Sequence, residues 1–268
     1  MHRFKLRSDD VPPEPQQNHL LAALSPEAQR RLFPHLELVP LELQSLINQS
    51  GRSGRHVYFP TDSIISMHYV LEDGKLTAIS VVGNEGLLGI TLFLGFTQPL
   101  YRSVVQSAGY AFRVPRSRVE EEFRRYGEFH ELMLRYMQVL ITQLSQTAVC
   151  NRHHSIDQQL CRWLLMSLDR LSHNHLTMTQ EFISNMLGVR REGVTDAAAK
   201  LRALGLISYG RGLITVLDRR RLELAACECY EVVRAETERI LHYLPQRRAV
   251  LDIPPPPLVK LPGRPVHD

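Results

Sequence analysis

Between residues 190 and 211 the chain gathers side chains able to recognise a polar surface: Arg190, Arg191, Glu192, Thr195, Asp196, Lys200 and Arg211. A guanidinium can make a bidentate pair with guanine O6 and N7, and a carboxylate can accept from cytosine N4. Adjacent Arg191 and Glu192 therefore suit a G next to a C. The first six of these residues avoid Val194, Ala198 and Leu201, which recur at i, i+4, i+7 as the buried stripe of an amphipathic helix. A helix reads base edges with residues near its N-terminus. Arg211, between Gly210 and Gly212, suits a phosphate, which positions a reader without specifying sequence.

The preceding residues supply the support for such a helix. Thr179 is placed to cap a first helix and joins the seven residues above as an expected DNA-binding residue, and Glu181 falls in that helix's first turn, where the helix dipole favours an acid. Phe182, Ile183, Met186 and Leu187 make one apolar face, and Gly188 follows as a left-handed terminator. In the second helix Ala197, Ala198 and Ala199 permit close helix approach, and Gly205 ends it. Leu206 to Val216 then reads as a two-stranded wing. Two short amphipathic helices joined by a glycine-containing turn form a helix-turn-helix unit.

This stretch resembles the winged helix-turn-helix of the Crp/Fnr regulators. The family's Gly-x-x-Arg-Glu-x-Val core stands here as Gly188-Val-Arg-Arg191-Glu192-Gly-Val194, and its wing start as Leu206-Ile207-Ser208. The resemblance covers most of residues 20–218 and implies that Arg191 and Glu192 read bases. The cyclic-AMP-responsive member has a second Arg four residues beyond this Glu, where this chain has Asp196, so a different half-site is implied.

With 268 residues the chain has room for two domains. Apolar residues at 44% and charged residues at 22% are ordinary for a globular protein. The net charge of +4 is a weak indicator of nucleic acid by itself. Clustering of Arg190, Arg191, Lys200, Arg202 and Arg211 is the stronger one. No secretory signal or membrane span is evident, and the expected location is the cytoplasm. No nucleophile–base pair, paired-carboxylate motif or nucleotide loop stands out. Gly83-Asn84-Glu85-Gly86 lacks the Lys and long helix of a Walker loop. The chain reads as a non-enzyme.

The expected fold class is α+β. Residues 1–17, with Pro12, Pro13 and Pro15, read as a flexible arm. Residues 18–116 read as an antiparallel sandwich or jelly roll, because short strands at 57–59, 64–70, 76–82 and 104–105 are bounded by turn residues, with an Asp73-Gly74 hairpin; the family resemblance makes this region a jelly-roll (double-stranded β-helix) sensor domain. A helix over 117–150 follows. In it Tyr126, His130, Met133, Met137, Leu140, Leu144 and Thr147 alternate steps of four and three, as in a heptad seam. Met133, Met137, Leu140 and Leu144 are the expected dimer contacts. The same spacing also fits a helix lying on its own sheet. The family resemblance makes this helix the dimer axis. Residues 151–218 form the DNA-binding domain, with Trp163 in a helix core over 155–172. A single helix over 219–244 and a Pro-rich disordered tail over 245–268 complete the chain. Double-stranded DNA and a second copy of the chain are the expected partners, with RNA polymerase a further one.

Members that bind cyclic nucleotides hold the sugar-phosphate with a Gly-Glu pair and an Arg-Ser pair. Gly89, Arg102 and Ser103 match, but Ile90 replaces the Glu that accepts from the ribose hydroxyl. A cyclic nucleotide is therefore disfavoured as cofactor. Arg102 reads either as part of a modified anion site or as a surface residue paired with an acid such as Glu85. Oxygen sensors of the family carry N-terminal cysteines, whereas the first cysteine here is Cys150. Cys227-Glu-Cys229 offers an alternative function as a metal or redox sensor, with Cys150, Cys161, His153 or His154 as further ligands. The spacing fits no compact zinc pattern, and the expectation is no metal, with buried cysteines as helix packing and His153-His154 as a helix start. A third alternative is a dimeric sensor that does not bind DNA.

Overall fold

The computed structural model describes residues 12–48, 54–72, 74, 76–95 and 101–243. Most of the N-terminal arm, Asp73 and the Pro-rich tail lie outside the described residues. The first helices are α1 (His19–Ala22) and α2 (Pro26–Leu32). Asn18 caps α1 by accepting from the backbone N–H groups of Leu20 and Leu21. Ser25 caps α2, and Pro26 fills the first helical position, where no N–H is needed.

Among the described residues seven strands follow: β1 (Glu37–Leu41), β2 (Leu46–Asn48), β3 (His56–Pro60), β4 (Ile64–Val70), β5 (Leu76–Val82), β6 (Arg102–Ser107) and β7 (Gly109–Pro115). They pair antiparallel in two sheets, ordered β1-β7-β3 and β2-β6-β4-β5. The β-roll core contains Val57, Phe59, Ile65, Met67, Val105 and Val114. The alternation of β4 turns Ile65 and Met67 into this core. It turns Ile64 outward into a second core, shared with the C-terminal domain.

The helical stretch after the roll is broken. α3 (Arg116–Phe123) ends before Tyr126, which takes φ 54°, and Gly127 caps α4 (Glu128–His153). The expected helix over 117–150 is thus two helices, because the left-handed Tyr126 reverses the chain before α4 begins. Seam residues also separate. Met133 and Leu140 are buried in the chain's own core, and Met137 packs half-buried against it. Leu144 is exposed. The stripe of α4 that faces the chain's own core therefore carries Met133, Met137 and Leu140, three of the four residues assigned to a dimer seam. The neighbouring stripe exposes Leu134, Ile141 and Leu144 at 49%, 57% and 40%.

α5 (Ile156–Leu168) starts with a full capping box between Ser155 and Gln158 and is buried from Gln159 to Leu168, Trp163 included. Next come β8 (His175–Thr177), α6 (Gln180–Leu187), α7 (Arg191–Ala203), β9 (Ile207–Gly210) and β10 (Leu213–Val216). The wing is a three-stranded sheet ordered β8-β10-β9 rather than a hairpin alone, since His175–Thr177 adds an edge strand on β10. The helix expected over 219–244 divides into α8 (Arg219–Ala225) and α9 (Glu228–Tyr243). Ala226 adopts extended ψ 165° and ends the first piece, so α9 can turn back along α4 and place Ile240 in the β-roll core. Among the described residues no helix is long and apolar enough to cross a membrane.

Candidate nucleic-acid interface

The helix-turn-helix is assembled by caps that the sequence carries locally. The Thr179 hydroxyl accepts from the Phe182 N–H at 3.1 Å. Gly188 takes φ 66° and bonds back to Ser184, a conformation costly for any residue with a Cβ. Its α-carbon also comes close to the β-roll: a Cβ there would stand 3.4 Å from Thr77 Cγ2. α7 ends in a Schellman arrangement. The Gly205 N–H bonds to Arg202 at 2.9 Å and the Leu206 N–H to Leu201 at 3.0 Å. Val194, Ala197, Ala198 and Leu201 are buried against α5 and α6, which fixes the opposite face of α7 outward.

That outward face presents Arg190, Arg191, Glu192, Thr195 and Asp196, all exposed and all within the first two turns or at the cap. The Thr195 hydroxyl lies 3.0 Å from the Arg191 carbonyl and 3.1 Å from Gln180 Oε1. Gln180 thus ties this exposed face to the start of α6, a link that pattern alone did not reveal. Tyr209 of β9 lies within electrostatic reach of Arg191, while burial pushes its phenol upward. Lys200 stands apart from this group. It occupies the last turn of α7 and pairs with Asp157 at 3.0 Å. A cation there complements the helix C-terminus, and Lys200 links the end of α7 to α5 while staying exposed.

Arg211 and Gly212 form the two-residue wing turn with φ 52° and 75°. Two successive positive φ values match the tight hairpin turn whose twist suits antiparallel strands. The turn projects the exposed Arg211 from the sheet, while Thr179 at the other end of the unit is also exposed.

The residues expected to hold an effector in the β-roll are less converged. Gly89 takes φ 115° and opens a short 3-10 helix, Ile90–Leu94. Ile90 is buried in the apolar roll core with Leu92, where an acid would be uncompensated. Arg102 and Ser103 are adjacent on β6 and so face opposite sides of the sheet. Arg102 pairs across the strands with His68, and Ser103 with Met67. Glu85 does not pair with Arg102. It receives Arg170 of the C-terminal domain, at 2.8 Å from Nε.

The cysteines are closer together than their spacing suggested. Cys150, Cys227 and Cys229 form a separate buried cluster, and His154 joins it. His153 and His154 stand at the end of α4, not at a helix start, and Cys161 lies outside the group.

Residues 158–225 match the family model described as a Crp-like helix-turn-helix domain. No curated protein matches the chain by sequence. Solved structures match it by fold. A protein from Eubacterium rectale ascribed to the Crp/Fnr family of transcriptional regulators superposes with TM-score 0.62 at 16% identity, covering 78% of this chain and 98% of its own. FixK2 from Bradyrhizobium japonicum gives 0.60 at 14% identity, covering 72% and 98%. A Crp/Fnr-family transcriptional regulator from Thermus thermophilus gives 0.56 at 17%, covering 73% and 98%. The chain carries a Crp-like helix-turn-helix domain within the fold of the Crp/Fnr regulators.

Proposed function

We propose that the protein is a sequence-specific DNA-binding transcription regulator that acts as a homodimer on a palindromic site. The observation that carries this reading is the exposed start of α7, where Arg190, Arg191, Glu192, Thr195 and Asp196 are held outward by a buried opposite face. Arg191 donates two hydrogen bonds to a guanine edge, and Glu192 accepts from a neighbouring cytosine. Arg211 at the wing turn holds a phosphate and sets the register.

A symmetric site requires two readers, and α4 supplies a face for pairing them. Leu134, Ile141 and Leu144 form an exposed apolar stripe at steps of seven and three. Packing this stripe on its copy in a second chain places two α7 helices side by side. In such dimers the half-sites lie about 34–36 Å apart along the duplex. Cyclic AMP is not the effector in this reading, because Ile90 is committed to the roll core.

Replacing Arg191, Glu192 and Arg211 together by Ala tests the reading. All three are exposed, so the fold and its assembly are expected to persist while specific DNA affinity is lost. Unchanged affinity for a selected site would place DNA reading elsewhere or remove it.

A further inference from the structure

Cys150 and His154 end α4, Cys227 sits in the break before α9, and Cys229 lies in the first turn of α9. One ligand atom from each lies within 4.8 Å of every other. Cys150 Sγ stands 3.5 Å from Cys227 Sγ, and Cys229 Sγ stands 3.5 Å from His154 Nδ1. In a tetrahedral site, Zn–S distances near 2.3 Å and Zn–N distances near 2.0–2.1 Å separate the ligand atoms by about 3.5–3.8 Å. The cluster needs only a small contraction along its longest edges to reach that geometry. We propose that Cys150, His154, Cys227 and Cys229 form a closed Cys3His site for zinc.

The surroundings fit a metal better than a thiol pair. His154 directs Nδ1 into the cluster, while its Nε2 faces Glu228 Oε1 at 3.3 Å. A carboxylate on the second nitrogen is the usual support of a metal-bound imidazole, fixing its tautomer and orientation. Three thiolates and a neutral imidazole on a divalent ion leave one net negative charge. The buried guanidinium of Arg162 acts electrostatically on both Cys150 and Cys229, and its Nε has no hydrogen-bond partner among the described residues. Gln159 donates to the His154 carbonyl at 3.0 Å and holds the end of α4. A Cys150–Cys227 disulfide would use two of these residues and leave Cys229, His154 and Glu228 converged without a purpose.

The location gives the site a consequence. His154 and Ser155 are the whole connection between α4 and α5, the junction of the sensor with the DNA-reading domain. Zinc there ties α9 to that junction and fixes the angle at which α5 leaves α4. The site is thus a structural clamp, and its presence does not depend on the DNA-reading proposal.

The test uses the full chain purified under reducing conditions. Elemental analysis is expected to find one zinc per chain. After removal of the metal with a chelator, one equivalent of cobalt(II) is expected to give the ligand-field bands of a tetrahedral ion and a sulfur-to-metal charge-transfer band. C161S is expected to retain the metal, and C229S to lose it. Glu228→Gln is expected to weaken metal affinity about 10–100-fold, as removal of a supporting carboxylate does. Wild-type protein that carries no zinc and gives no tetrahedral cobalt spectrum would overturn the proposal. So would a Cys150–Cys227 disulfide as the stable form, found by mass spectrometry of peptides from the protein as isolated. The cobalt spectrum of the wild-type chain decides the matter even where a cysteine variant fails to fold.

Discussion

Arg170, in the turn after α5, sets its guanidinium on the carboxylate of Glu85 in the β-roll, with N to O at 2.7 Å and each side chain under a tenth exposed. Glu85 Oε2 also accepts from the Gly83 N–H at 3.1 Å. Close approach at Gly83 is obligatory, since a Cβ there would meet the Arg170 side chain at 2.7 Å. A second buried bond joins the same surfaces: Gln106 Nε2 donates to Ser167 Oγ at 2.8 Å. The two domains are therefore joined by groups that lose their compensation if the domains part.

Glu85→Gln is expected to destabilise the protein by about 3–5 kcal/mol, because it strands the buried charge of Arg170. The double variant Glu85→Gln/Arg170→Met is expected to cost less than the sum of the single changes. Urea denaturation of the three variants measures both numbers. Additive costs would mean that the pair is not coupled across the domain boundary.

Stability is expected to fall with acid through His68. Burial, aided by the positive charge of Arg102, pushes this imidazole down to about 4 from 6.5. The unfolded chain then binds the extra proton between those values. The contribution is complete above about pH 6.5 and is lost as pH falls towards about 4, and it amounts to about 3 kcal/mol. His68→Gln is expected to flatten that part of the stability–pH curve in denaturant titrations, and an unchanged slope would assign it to other groups.

Ile141→Glu or Leu134→Glu is expected to convert the protein to a monomer without unfolding it, because both side chains are exposed in the single chain. Met133→Glu is expected to unfold it instead, by placing a charge in the core. Sedimentation velocity with circular dichroism separates these outcomes. A dimer that survives Ile141→Glu would move the interface off this stripe of α4.

Arg211→Ala is expected to weaken binding evenly across DNA sequences and to lower the slope of log affinity against log salt by about 1, the signature of one lost phosphate contact. A change confined to one base position would instead make Arg211 a base reader.

The helix-turn-helix was legible because its signals are local. The Thr179 cap, the left-handed Gly188 and the Gly205 terminator each act within a few residues, so sequence order is sufficient. The outward stripe of α4 was not legible in the same way. Met133 and Leu140 share their seven-residue step with Leu134 and Ile141, one position away on the helix, and the packing of β5 and α9 decides which stripe is covered. Strand β8 was missed because three residues show no period and pair with β10 from far along the chain. The cysteine cluster depends on the break at Ala226, which lets α9 fold back and join residues 77 positions apart. The pairing of Lys200 with Asp157 was not legible either, because it joins residues 43 positions apart.

The most direct test of the central claim is selection of binding sites from randomised duplex DNA at fixed salt, with wild-type protein and with an Arg191→Ala/Glu192→Ala variant. The account predicts a palindromic motif from the wild type, with half-site centres about 10–10.5 base pairs apart, and loss of the G and C preference in the variant. The same motif from both proteins, or no enriched motif from the wild type, would contradict it.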